Sequence, residues 1–268
     1  RGDRRQRQMC IRDRDSIKII DALRVAKGEV VAIVGAGGKT SLMFALANAL
    51  PKPVCLTTTT KLGYQEGIGF FPHQLYSEAM RIESETFEPV GAQMITNPTD
   101  ESGQKWLGLL PEQASRLIQI CREKGVICLI EVDGARRCSL KAPAAWEPVI
   151  PARTDWVAVV VGLSVIGKTL REGVVFRPEL FSALTGCSLG APIQIKHILR
   201  MLNHPEGGLK GVPPGSRVVA VFNQADAYAL SAGERAVIQE TLSSRYSAAL
   251  LTALRSNPTR CEALSSIL

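Results

Sequence analysis

Gly35-Ala36-Gly37-Gly38-Lys39-Thr40-Ser41 stands between the apolar run Val30 to Val34 and a segment with Leu42, Ala45, Leu46 and Ala49 at helical spacing, unbroken until Pro51. A strand, a thin turn and a helix in that order make an anion cradle. Small residues let backbone N–H groups approach the anion, and the helix N-terminus faces it. A second stretch, Gly162-Leu163-Ser164-Val165-Ile166-Gly167-Lys168-Thr169, matches the full phosphate-loop pattern of glycine, four residues, then Gly-Lys-Thr. It carries Leu163, Val165 and Ile166 where the chain should be thin, and Gly173 and Pro178 leave no room behind it for a long amphipathic helix. The strand–turn–helix context selects the first loop.

The first loop is short, because the position of the expected opening glycine is Ile33, inside the strand. Gly-x-x-Gly-Lys-Thr remains, a truncated form of the loop used by some ATP-dependent ligases. The expected roles survive: Lys39 neutralises the β/γ-phosphates, Thr40 or Ser41 offers a hydroxyl to Mg²⁺, and Gly35, Ala36, Gly37 and Gly38 bring amides to the phosphates.

Further apolar runs at Val54 to Leu56, Val126 to Val132, Trp156 to Val161 and Val218 to Phe222 read as strands, the long ones buried on both faces. A short strand is expected at Gln93 to Thr96. Helical patterns lie at His73 to Ile82, Pro111 to Lys124, Pro192 to Leu202 and Ser231 to Leu242, the last opened by a Ser231–Glu234 capping box. This alternation predicts an α/β fold: a three-layer P-loop NTPase-like domain with a doubly wound, mostly parallel sheet. It would occupy 15–268 as one domain, with 163–215 as a candidate helical insert.

Ligands of such sheets sit at the carboxyl ends of the strands. After the second strand stand Thr57 to Thr60 and Lys61, hydroxyls and a charge suited to Mg²⁺ or γ-phosphate, although threonine also simply favours strands. Glu131-Val132-Asp133 ends another strand, with both carboxylates on one face. A carboxylate at the end of a buried strand needs a cation. Asp133 is assigned to the Mg²⁺ side and Glu131 to orienting the attacking water, the alternative being a salt bridge to Arg136 or Arg137. Asn223-Gln224-Ala225-Asp226 matches the guanine-reading Asn-Lys-x-Asp motif except at Gln224, and an ordinary polar turn is the competing reading. Arg136 to Pro143, Glu147 to Pro151 and Arg177-Pro178-Glu179 read as too proline-rich for helix and too charged for core. Arg136, Lys141 and Arg177 are candidates to meet γ-phosphate or an anionic second substrate.

Of the net charge of +7, residues 1–14 supply four through six arginines against two aspartates. Met9 to Arg14 resembles translated sequencing adapter, so this stretch reads as a non-native or disordered tail and stays outside the functional reading. Without it the chain is only mildly basic, and no nucleic-acid partner is expected. No apolar run reaches membrane-spanning length. Seven scattered cysteines suit a reducing cytoplasm, and Cys138, beside Arg136 and Arg137, is the candidate reactive thiol. Three histidines form no zinc motif.

Taken together, Gly35 to Ser41, Thr57 to Lys61, Glu131 to Arg137, Leu140-Lys141-Ala142-Pro143 with Glu147 to Pro151, Arg177-Pro178-Glu179 and Asn223 to Asp226 resemble, in that order, the YqeC-like proteins. The resemblance spans about residues 16–268. It implies a bacterial, cytoplasmic P-loop protein assigned to selenium cofactor biosynthesis, an accessory to selenium-dependent molybdenum hydroxylases. The chain departs from the pattern at Gln224, where lysine is expected, and at Thr169, where proline is expected after Gly-Lys. The function expected is therefore Mg²⁺-dependent binding and hydrolysis of GTP, or of ATP, in the maturation of such an enzyme, whose protein or cofactor is the expected partner; a homodimer is compatible with it. The rivals are an ATP-dependent transferase or ligase acting on a small substrate, and a nucleotide-gated binding module without hydrolysis.

Overall fold

The computed structural model of the chain describes residues 16–63, 71–77 and 90–265. In chain order these form β1 (Ser16–Lys18), α1 (Ile19–Leu23), β2 (Val30–Gly35), α2 (Lys39–Ala49), β3 (Val54–Thr58), β4 (Leu62–Gly63), β5 (His73–Leu75), β6 (Ala92–Thr96) and β7 (Lys105–Trp106). There follow α3 (Pro111–Glu123), β8 (Ile127–Glu131), β9 (Leu140–Lys141), β10 (Trp156–Gly162), β11 (Val175–Phe176), α4 (Pro178–Thr185) and α5 (Ile195–Asn203). The chain closes with β12 (Arg217–Asn223), α6 (Ala232–Leu242), β13 (Ala248–Ala253) and β14 (Asn257–Ala263).

Ten strands make one sheet in the order β1-β14-β13-β12-β10-β2-β8-β3-β6-β5. From β13 to β5 all neighbours are parallel; β14 and β1 add an antiparallel edge. Every residue of β3, β8 and β10 is buried, as expected of parallel strands covered on both faces. Alternate side chains serve two cores. Val31, Ile33, Leu129 and Val160 meet Leu42, Met43 and Leu46 of α2 on one face. Val30, Val34, Ile130 and Val159 meet Leu117 and Cys121 of α3, Phe181 of α4, Ile198 of α5 and Ile238 of α6 on the other. The result is helix, sheet, helix. Truncating a fully buried residue such as Leu46 to alanine should cost about 2–5 kcal/mol.

Two features depart from the sequence reading. His73–Leu75, expected to open a helix to Ile82, is a strand paired parallel with β6; residues 78–82 lie outside the described residues. Its three residues gain ladder hydrogen bonds at the sheet edge that outweigh a helical period too short to be decisive. Arg177-Pro178-Glu179 opens α4 instead of forming a loop, with Pro178 in the first turn, where its missing N–H costs nothing. The Ser231–Glu234 capping box is present at α6. The tail at 1–14 lies outside the described residues. Among the described residues no helix is long and apolar enough to cross a membrane.

Candidate functional site

Register lines up the strand ends. Ile33 of β2 faces Glu131 of β8, Glu131 faces Thr58 of β3, Gly35 faces Val160 of β10, and Gly162 faces Asn223 of β12. The connection from β2 leads through α2 to β3 on one side, while β10 and β12 lie on the other. Such a reversal leaves a crevice at the carboxyl ends of the strands. The loop 35–38 sits there.

Its glycines are required by the protein's own backbone. Gly35, Gly37 and Gly38 have φ of 94°, 85° and 130°. A Cβ on Gly35 would overlap the Val160 carbonyl, and one on Gly38 the Asn223 amide. Ala36 is buried, its N–H donating to Val160 O at 2.8 Å. Gly38 precedes α2 and supplies no side-chain cap, which leaves the first-turn amides turned toward the crevice. Asn223 fixes the loop from below. Its Nδ2 donates to Gly37 O at 2.7 Å, while Oδ1 accepts from Thr252 Oγ1 and Leu254 N, each at 3.1 Å. The expected base-reading asparagine thus serves as a staple between β12, β13 and the loop.

Charge is dense and matched. Lys39, only 5 % exposed, donates to Gly35 O at 2.8 Å and lies 3.6 Å from Glu131 and 3.3 Å from Asp133. Thr40 Oγ1 donates to Glu131 Oε2 at 2.8 Å. Asp133 accepts from Gly35 N at 3.1 Å and pairs with Lys141 at 2.8 Å; its Oδ1 makes no hydrogen bond. Lys141, 3 % exposed, also pairs with Glu147 at 2.9 Å and donates to Gly134 O. Arg177 holds Glu147 with two bonds of 2.7 and 3.0 Å. Burial pushes the Glu147 carboxyl up, but the hydrogen bonds and charges of Arg177 and Lys141 outweigh it and bring the pKa down to about 2.

Several expectations change here. The partners of Glu131 and Asp133 are lysines and Thr40, not Arg136 or Arg137, because the strand register delivers Lys39 and the short β9 delivers Lys141. The Thr40 hydroxyl donates to Glu131, the carboxylate expected to orient water, rather than to Asp133. Lys141, expected on a surface too charged for core, is buried because two carboxylates and a carbonyl enclose it. Thr57 and Thr58 are spent on the Ile95 and Glu131 carbonyls. The Cys138 thiol is raised, first by burial and then by Glu172, against a weaker lowering by Arg136, so it is not activated. Five of the six described cysteines are buried small hydrophobes.

The crevice opens into a cleft of ≈ 460 Å³ lined by the loop, Thr60 to Gly63, Lys105, Glu131, the segment from Gly134 to Ser139, and Gln224. Lys105 had no signal in the sequence: β7 pairs with β4, placing it opposite Gly63. Asp226 is exposed and outside the lining, with Ser256 Oγ at 3.5 Å. The rival loop behaves as its sequence suggested. Leu163–Val165 is a single 3₁₀ turn, Gly167 and Lys168 pair with Ile193, and the Lys168 side chain is exposed.

Residues 31–179 match the sequence model of the YqeC protein family. The YqeC protein of Escherichia coli (strain K12) is 31% identical over 237 residues, an alignment that takes in 85% of this chain and 86% of that one. No solved structure matches the chain. The strands and loops that build the cleft up to Arg177 fall inside the family match, and the chain belongs to the YqeC family.

Proposed function

We propose that the chain binds a nucleoside triphosphate with Mg²⁺ at the loop 35–41 and hydrolyses it while serving the maturation of a selenium-dependent molybdenum hydroxylase. The client comes from the sequence resemblance; the nucleotide chemistry rests on the site. The observation that carries it is the cluster of Lys39, Thr40, Glu131 and Asp133 at the head of α2, behind three glycines and an uncapped helix N-terminus.

The donors fit a hard divalent cation: a hydroxyl and a carboxylate in contact, with Asp133 Oδ1, held only by the Lys39 ion pair at 3.3 Å, nearby. Thr40 and Glu131 would hold it, with Asp133 behind them. Bound there, Mg²⁺ would neutralise phosphate charge. Lys39 exchanges its carboxylate contacts for the phosphates while keeping its anchor on Gly35 O. Asp133 keeps Lys141 and the Gly35 amide in that state, so the loop stays braced when Lys39 turns away. Gln224 lines the cleft on the β12 side, where a base would lie; the preference for guanine rests on the sequence match of Asn223 to Asp226 alone, since Asn223 braces the loop and Asp226 stands outside the lining.

Calorimetric titration of the full chain with Mg²⁺ and GTP, or ATP, tests this. Binding should be lost in Lys39→Ala and kept in Lys168→Ala, because only Lys39 places a point charge in the cradle. A chain that binds neither nucleotide, or that depends on Lys168, refutes the reading.

A further inference from the structure

The cleft holds more positive charge than one triphosphate uses, and the excess lies on one side. Lys39 and the loop amides follow β2. Lys61 follows β3, Lys105 lies on β7 opposite Gly63, and Arg136 and Arg137 follow β8. Both β3 and β8 stand on the side of β2 away from β12 and its Gln224 and Asp226. Against Lys39, Lys61, Lys105, Arg136 and Arg137 the lining offers one carboxylate, Glu131, already engaged by Lys39 and Thr40. Lys61 is 3.3 Å from Asp100 outside the lining; among the described residues Lys105, Arg136 and Arg137 form no ion pair.

The arginines are also placed at a cost. Arg136 and Arg137 are consecutive non-glycine residues with φ of 46° and 63°, in the left-handed region that ordinary residues avoid. Backbone held this way clusters at ligand clamps. The Arg136 guanidinium is steadied over the Phe176 ring at 5.2 Å, which leaves its N–H fork available.

We infer that Lys61, Lys105, Arg136 and Arg137 form a second oxyanion site, occupied at the same time as the nucleotide and beside its terminal phosphate. Its ligand is a small molecule bearing a phosphate or carboxylate group. The inference rests on the nucleotide reading for the word "second", since a nucleotide with its base toward β12 directs its terminal phosphate toward this wall. It identifies the chain as one that brings two anionic ligands together.

The probe is inorganic phosphate, titrated at fixed ionic strength into the full chain saturated with Mg²⁺ and a non-hydrolysable GTP or ATP analogue. One phosphate should bind per chain without displacing the analogue. Lys61→Ala and Arg136→Ala should each weaken phosphate about tenfold, since each removes a charge-assisted donor, while nucleotide affinity changes by less than about threefold. Both side chains are exposed, so folding is checked simply by thermal unfolding. The inference is overturned if phosphate competes with the analogue, or if the substitutions weaken the nucleotide as much as phosphate. If the unsubstituted chain binds no nucleotide, that reading alone has failed. Phosphate titrated into a Lys39→Ala chain then decides: sensitivity to Lys61 and Arg136 keeps the oxyanion site, and indifference removes it.

Discussion

At the residue scale the lysines of the site divide the work. Lys39 can leave its carboxylates because each has another partner: Glu131 keeps Thr40, and Asp133 keeps Lys141 and the Gly35 amide. Lys141 bridges Asp133 and Glu147 in a buried setting, and without it Asp133 keeps Lys39 and the Gly35 amide while Glu147 keeps Arg177. Lys141→Ala should therefore destabilise the fold by about 1–3 kcal/mol, the cost of buried acceptors losing a hydrogen bond rather than of stranding a charge, and Lys39→Ala by a similar amount; urea unfolding of the two variants compares them directly. Asp226 carries the base question. If it accepts from guanine N1–H and N2–H₂, Asp226→Asn should weaken GTP by about 1–3 kcal/mol and strengthen xanthosine triphosphate, whose carbonyl replaces the amino group. Equal affinity for ATP and GTP with no gain for xanthine would remove the guanine preference and leave the phosphate loop standing.

At the scale of elements, the glycine loop 35–38 is held from outside its own strand–turn–helix unit. Asn223, at the end of β12, donates to the loop and accepts from β13. Asn223→Ala would leave the Gly37 carbonyl, the Thr252 hydroxyl and the Leu254 amide unmatched, at about 1–3 kcal/mol for each group left buried. The expected outcome is a lower urea midpoint together with weaker nucleotide binding. Gly38→Ala should mimic it, since the new methyl displaces the same amide and φ of 130° suits no side chain. Retained binding in both variants would show that the loop keeps its shape without the staple.

Across the whole molecule, charges alternate in an unbroken line from the head of α2 to the head of α4: Lys39, Asp133, Lys141, Glu147, Arg177. Glu147 is the member whose titration is exposed to test. Its carboxyl falls from the ordinary 4.5 to about 2 in the folded chain. A depressed folded pKa means stability that is complete above the unfolded value and lost as pH falls through the folded one. The chain should therefore lose stability between pH 4.5 and about 2, and Glu147→Gln should flatten that part of the curve, as followed by unfolding midpoints against pH. A parallel decline in both proteins would mean that other carboxylates control acid unfolding.

Local sequence determined the frame. Unbroken apolar runs mark strands buried on two faces, a Ser–Glu pair caps α6, and thin residues between strand and helix single out residues 35–41 over the fuller pattern at 162–169. These signals need only neighbours in the chain, because hydrophobic period, capping and turn chemistry are local physics. Tertiary structure decided the partners. Asn223 reaches Gly37 across 186 positions and Thr40 reaches Glu131 across 91, distances over which no spacing rule operates. Whether Lys141 lies in core or solvent, which carboxylate touches Thr40, and whether Lys105 faces the cleft all depend on register between strands far apart in sequence. A charge is tolerated in the interior only where the fold delivers its counter-charge.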